Sequence, residues 1–255
     1  MKKLMNPLAI TLALFLACTN AVAQATNDAT HYSVGSLIEP DVTVYDVDGR
    51  AVSLVALLKA QAKSMNVVFI FGGGGLGHER TQATGGLWCP DSFEDSHIIR
   101  SLKAAYGDGI GIFPIAVPPA HHSRQMGFAA DAFLDGDFES DEYKEALVAF
   151  VDSTQAAFKS GTIPVQPFYD SRFNLMASDK DIARRGAREP WSGAFRAADE
   201  TQTYGVPSIW LVGADGRILH EPFRGNDYHG HGDSIKVIYT LSDVVDALER
   251  QGKAK

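Results

Sequence analysis

The chain has 255 residues, a formal net charge of -8 and a hydrophobic fraction of 45%. The acidic surplus excludes a general nucleic-acid binder, which needs a basic surface, and no Lys/Arg-rich run offsets it. The apolar fraction is enough for a packed core in one large domain or two small ones.

Lys2 and Lys3 precede an apolar stretch at 8–17 that is too short to span a bilayer unaided. Ala21-Val22-Ala23 then forms a small-x-small cleavage pattern. The expectation is a signal peptide over 1–23 and a periplasmic or secreted protein, with no transmembrane segment after processing. The competing pattern is lipoprotein processing at Cys18, after Leu14-Phe15-Leu16-Ala17, which leaves a lipid anchor; Phe15 fits it poorly. By either route Cys89 is the only free thiol left. A lone cysteine in an oxidising compartment has no internal partner, so it is either buried and inert or reactive toward another molecule.

One domain is expected over 32–255, with no internal repeat and no break in composition. Residues 40–54 alternate β-branched and polar positions around Asp48-Gly49, which predicts a hairpin. A short helix follows at 55–63. The continuous apolar run at 66–71 predicts a strand buried on both faces. It breaks into Gly72-Gly73-Gly74-Gly75 and a polar loop to Leu87. Helical spacing returns at 93–106, and 110–117 is a second apolar strand closed by Pro118-Pro119. Residues 120–140 read as an insertion. Ser140 caps a predicted helix at 141–159, ended by Gly161. A strand is expected at 163–169, and 171–204 show no clear pattern. A second hairpin is expected from 208–212 and 217–221 around Ala214-Asp215-Gly216, then a final amphipathic helix at 241–251. Strands alternating with helices, then a hairpin and a helix, imply a mixed sheet covered on both faces.

The chemistry centres on Trp88-Cys89-Pro90-Asp91-Ser92. A cysteine that opens a helix meets unpaired N–H groups and the positive end of the dipole, which favour a thiolate and predict a lowered pKa. Pro90 suits the first helical turn. Ser92 is placed to donate to the sulfur, and Trp88 to shield one side. The equally simple alternative is a structural cysteine that happens to start a helix.

From about Val34 onward the chain resembles the thioredoxin superfamily, nearest the branch of membrane-facing thioredoxin-like reductases and peroxiredoxins. Three motifs carry the resemblance: the hairpin from Pro40-Asp41 through Asp48-Gly49 to Ser53-Leu54; Trp88-Cys89-Pro90-Asp91-Ser92 after a buried strand; and Tyr204-Gly205-Val206-Pro207-Ser208-Ile209-Trp210-Leu211-Val212 followed by Ala214-Asp215-Gly216-Arg217. It implies an α/β thioredoxin-like fold, a central mixed sheet flanked by helices, with an N-terminal hairpin extension and an insertion near 120–140. It also implies Cys89, Ser92, Trp88 and Pro207 as the catalytic set. Pro207 would be the family's cis-proline, packed against the sulfur. Val206 and Pro90 would face the substrate.

Two departures stand out. Ser92 occupies the place of the resolving cysteine, so a mixed disulfide on Cys89 has no internal thiol to release it. The glycine-rich loop at 72–87 is long for the family, although a related group with Trp-Cys-Pro-Asp-Cys also lengthens it. The implied function is a monothiol thiol–disulfide oxidoreductase working by disulfide exchange, isomerisation or deglutathionylation. Its partners would be protein or low-molecular-weight thiols and disulfides, with no cofactor. Two alternatives stand beside it. One is a redox-inactive binding module for a partner or metal. The other is a one-cysteine peroxidase, against which Gly86 stands where such enzymes carry a Thr or Ser. His78, His97, His121-His122 and His229-Gly230-His231 would suit copper or zinc by donor type, but the cysteine pair used by copper-delivery relatives is missing, so no metal is expected. Gly72 to Gly75 lacks the Gly-Lys-Ser/Thr of a phosphate loop.

Overall fold

A computed structural model describes residues 34–40, 42–61, 63–75, 83–118, 139–170, 206–224 and 239–253, all within the unit spanning 31–255. The proposed signal peptide, Cys18, most of the 120–140 insertion and the 171–204 region lie outside the described residues.

The first hairpin pairs β1 (Thr43–Tyr45) with β2 (Ala51–Ser53), antiparallel. Asp46 Oδ1 accepts from the N–H groups of Asp48 and Arg50 at 2.9 and 2.8 Å, a local substitute for ladder bonds that fixes the turn. Helix α1 (Leu54–Gln61) follows directly, starting one residue before the predicted 55–63 and ending two residues short of it, and Ser53 Oγ accepts from Ala56 N–H at its start. The apolar run at 66–71 becomes β3 (Met65–Gly72), and the next becomes β4 (Gly111–Val117). The two pair in parallel from Asn66↔Gly111 to Gly72↔Val117. A parallel pair needs a long crossover, and α2 (Pro90–Tyr106) provides it, starting a turn earlier than the apolar spacing suggests because Pro90 occupies its first turn. Helix α3 (Asp141–Lys159) is capped by Ser140, whose Oγ accepts from Tyr143 N–H at 3.1 Å.

Two expected strands are shorter than predicted. Of 163–169, only β5 (Phe168–Tyr169) joins the sheet, parallel to β4 and antiparallel to β1. Pro164 and Pro167 carry no N–H, so a ladder cannot run through them. The second hairpin starts as predicted with β6 (Ser208–Gly213), whose turn closes through Gly213 N–H to Arg217 O and Leu219 N–H to Leu211 O. Its return then loses register before Pro222, and resumes as β7 (Phe223–Arg224) beside Ser208 and Ile209. The chain ends its described part in α4 (Leu241–Lys253).

Among the described residues, seven strands form one mixed sheet, ordered β2-β1-β5-β4-β3-β6-β7. Its heart is β3-α2-β4 in parallel, with β6 antiparallel to β3 and β7 antiparallel to β6. That is the thioredoxin-like arrangement, and the β1–β2 hairpin extends it at one edge. Alternate residues of β3 serve opposite faces, as strand pleating dictates. Val67, Phe69 and Phe71 pack with α2, α3 and α4, while Val68 and Ile70 pack with α1, Trp88 and Cys89.

Candidate functional site

The site lies where β3 ends and α2 begins. Cys89 is the N-cap of α2, with extended backbone (φ -103, ψ 113), and Pro90 is exposed in the first turn. The cysteine is nevertheless only 6% exposed. Gly72, the last residue of β3, explains how it fits. A Cβ added there would stand 2.4 Å from Cys89 Cβ and 2.7 Å from Trp88 Cε2. The missing side chain is the space that Cys89 and the Trp88 ring fill.

Ser92 ties these parts together. It is fully buried, and its Oγ accepts the Gly72 N–H at 2.9 Å. The Ser92 hydroxyl and backbone N–H, one helical turn on from Cys89, act on the thiol to lower its pKa, although the N-cap side chain accepts no capping hydrogen bond. Trp88 donates Nε1–H to Val117 O at 2.8 Å and its backbone N–H to Gly73 O at 2.9 Å, so the indole is fixed to the ends of β3 and β4.

The electrostatics correct one expectation. Burial pushes the Cys89 thiol up to about 11, the Ser92 bonds oppose it, and the Asp91 charge adds to the rise. The helix N-terminus was expected to lower this pKa. Desolvation of the thiolate outweighs that help because Cys89 is buried in the apolar cluster that also holds Trp88, Ile70, Val117 and Trp210. Cys89 is therefore a protonated thiol at neutral pH in this conformation.

The Val206–Pro207 peptide bond is cis. Ser208 pairs with Ile70, so the two residues before it run alongside the end of β3 where Gly72 meets Cys89. Val206 packs on the same apolar cluster as Trp88 and Cys89, and Pro207 is buried. The structure thus gathers Trp88, Cys89, Pro90, Ser92, Val206 and Pro207 at one end of the sheet.

Three features were not legible as parts of a site. Gly72, Gly73 and Gly74 are packed rather than loose: a Cβ at Gly73 would meet Phe150 at 2.4 Å, and one at Gly74 would meet Ser153 Oγ at 2.1 Å. The run of glycines at the end of an apolar strand was the available signal. The Val117 carbonyl and Thr154 gave none. Gly86 has φ +91, a conformation that a Thr or Ser side chain rarely adopts, so the peroxidase-type residue is disfavoured there on backbone grounds. Of the histidines, His97 lies exposed on α2, 2.5 Å from Arg100 and edge-on to Phe93. His78, His121, His122, His229 and His231 lie outside the described residues, and among the described ones no three His, Cys, Asp or Glu side chains gather as a metal site.

No family model matches the chain, and no curated protein does. Solved structures similar to it include a thiol:disulfide interchange protein from Bacteroides sp. (15% identity, TM-score 0.35, covering 76% of this chain and 83% of that one). A PrxQ cysteine-to-serine mutant from Xylella fastidiosa also matches (10% identity, TM-score 0.42, covering 87% and 98%). A third is the yeast mitochondrial 1-Cys peroxiredoxin (12% identity, TM-score 0.40, covering 87% and 78%). At these identities and TM-scores the likeness carries no residue role across.

Proposed function

We propose that this chain is an exported monothiol thiol–disulfide oxidoreductase. The observation that carries the reading is a lone cysteine at a helix N-cap, with the buried Ser92 hydroxyl fixed by the Gly72 N–H and acting to lower the thiol's pKa. Cys89 is the nucleophile. Val206, Pro207 and Pro90 border the substrate, and Trp88 covers the sulfur on one side. On deprotonation, Cys89 Sγ attacks one sulfur of a substrate disulfide. A Cys89–substrate disulfide forms, the substrate's S–S bond breaks, and the other substrate sulfur leaves as a thiolate. Ser92 cannot attack the new bond, so a second thiol, from a protein or a small molecule, releases the product and restores Cys89. Residues 1–23 act as the signal peptide that delivers the chain to a periplasmic or extracellular space; lipidation at Cys18 is the alternative route. No described helix is long and apolar enough to cross a membrane.

Burial of the sulfur favours a second reading, a thioredoxin-fold binding module that has left disulfide chemistry behind. Alkylation of the purified mature protein separates the two. Labelling of the folded protein that climbs as pH rises toward about 11, with a mixed disulfide captured from a model disulfide, is the outcome expected of the oxidoreductase. Labelling only after unfolding assigns Cys89 to the core and supports the module.

A further inference from the structure

We propose that Thr154, in the middle of α3, is a positioning residue for Cys89, holding the glycine stem against which the thiol is seated. Two short stretches form this stem, Gly72 to Gly75 on one side and Thr84 to Leu87 on the other. Gly74 bridges Leu87 in antiparallel fashion, Gly75 N–H donates to Gly86 O at 2.7 Å, and Trp88 N–H donates to Gly73 O at 2.9 Å. With the bonds on either side of it, Gly74↔Leu87 is a pair whose own N–H groups point away from each other. The Gly74 N–H therefore needs an acceptor outside the stem.

Thr154 Oγ1 is that acceptor, at 2.7 Å, and its hydroxyl donates onward to Phe150 O at 2.7 Å. The side chain is fully buried, so water does not compete. The fit is close. The side-chain space missing at Gly74 is filled by Ser153 Oγ at 2.1 Å and by Thr154 N at 2.3 Å. Just past α3, Thr162 Oγ1 donates to Gly85 O at 3.1 Å and so holds the other side of the stem. Leu87 leads straight into Trp88 and Cys89, and Gly72 abuts both. Anchoring Gly74 to α3 thus fixes the depth at which the sulfur sits. Its weight for catalysis rests on the exchange reading above, but the depth of the thiol can be read without any substrate.

The test compares alkylation of Cys89 in folded wild-type protein, Thr154→Val, Thr154→Ser, and Val244→Ala, a change in α4 that loosens the same core but removes none of the stem's hydrogen bonds. Valine keeps the shape and removes the acceptor; serine keeps the acceptor. Thr154→Val is expected to label at least roughly tenfold faster near pH 8, with a lower apparent pKa, because each pKa unit of relieved burial gives tenfold more thiolate. Thr154→Ser should match wild type, and Val244→Ala should leave the labelling pH profile in place. Labelling of Thr154→Val at the wild-type rate, or an equal rise in Val244→Ala, overturns the positioning role. If Thr154→Val does not fold, hydrogen exchange in wild type decides: a slowly exchanging Gly74 amide upholds the anchor and a fast one overturns it. A folded wild-type thiol that never labels while Thr154→Val does would sink the exchange reading alone.

Discussion

Two buried ionisable groups are carried by the same helix and respond to burial in different ways. Cys89, at the N-cap of α2, sits among apolar side chains on one face of the sheet, and burial moves its thiol up to about 11. Asp95, within α2, is 8% exposed, and its carboxylate accepts from the Tyr239 hydroxyl just before α4. Burial moves that carboxyl up to about 7; the Tyr239 bond opposes the rise, while Asp91 and Glu94 add to it. Tyr239 is itself held far above its ordinary range and remains a donor. A thiol is neutral before it ionises, so burial keeps Cys89 in the form it already favours at pH 7. A carboxyl must ionise to be in its ordinary state there, so the same burial brings Asp95 to its midpoint. Changes of pH near neutrality act on the α2–α4 contact well before they act on the sulfur.

The largest effect that sharpens this contrast comes from Gly72→Ala. Its Cβ cannot be placed without displacing Cys89 and Trp88. A loss of about 2–3 kcal/mol in denaturant unfolding is expected, at the upper end for overpacking a tight site. The pH response set by Asp95 should persist. A loss below about 0.5 kcal/mol, the range of unremarkable surface changes, would show that the end of β3 yields easily.

Asp95→Asn comes next. The folded-state pKa of Asp95 is raised from 3.8 to about 7, so its contribution to stability is complete below pH 3.8 and is lost as pH rises toward 7. The slope is at most about 1.4 kcal/mol per pH unit. The asparagine variant should lose that slope, so that its stability relative to wild type improves steadily between pH 4 and 7. Parallel pH profiles for the two proteins would show that the carboxyl is not buried as described. The smallest effect expected is that of Tyr239→Phe, a loss of about 1 kcal/mol above neutral pH. Because the Tyr239 bond lowers the Asp95 pKa, its removal should also shift the sloping window upward. An unchanged window would break the pairing of α2 with Tyr239.

Much of the fold was legible because its signals are local. The Asp48-Gly49 turn, the apolar runs of β3 and β4, the Ser140 cap and the Cys89-Pro90 helix start each depend on a few adjacent residues, and the structure carries each of them. The strand at 163–169 was overdrawn because apolar content outweighed the meaning of Pro164 and Pro167. The chemistry of the site was half legible. The order Trp88, Cys89, Pro90, Ser92 was visible in the sequence. The depth of the sulfur was not, since it depends on Gly72 across the turn and on Trp210 from a distant strand. Thr154 could not be singled out from an amphipathic helix, because its partner, Gly74, is brought to it only by tertiary packing.

The place of β6 in the sheet has a consequence for how the thiol matures. Ile70 pairs with Ser208, and the cluster that encloses Cys89 includes Trp210, Val212 and Ile218. Contacts so far apart along the chain close late, because their loop must be drawn in before they repay it. On a growing chain, β3, α2 and β4 emerge well before β6. The cluster around the sulfur is complete only when Trp210, Val212 and Ile218 have been added to it. The burial that raises the Cys89 pKa is thus a late product of folding, complete only once β6 has joined the sheet.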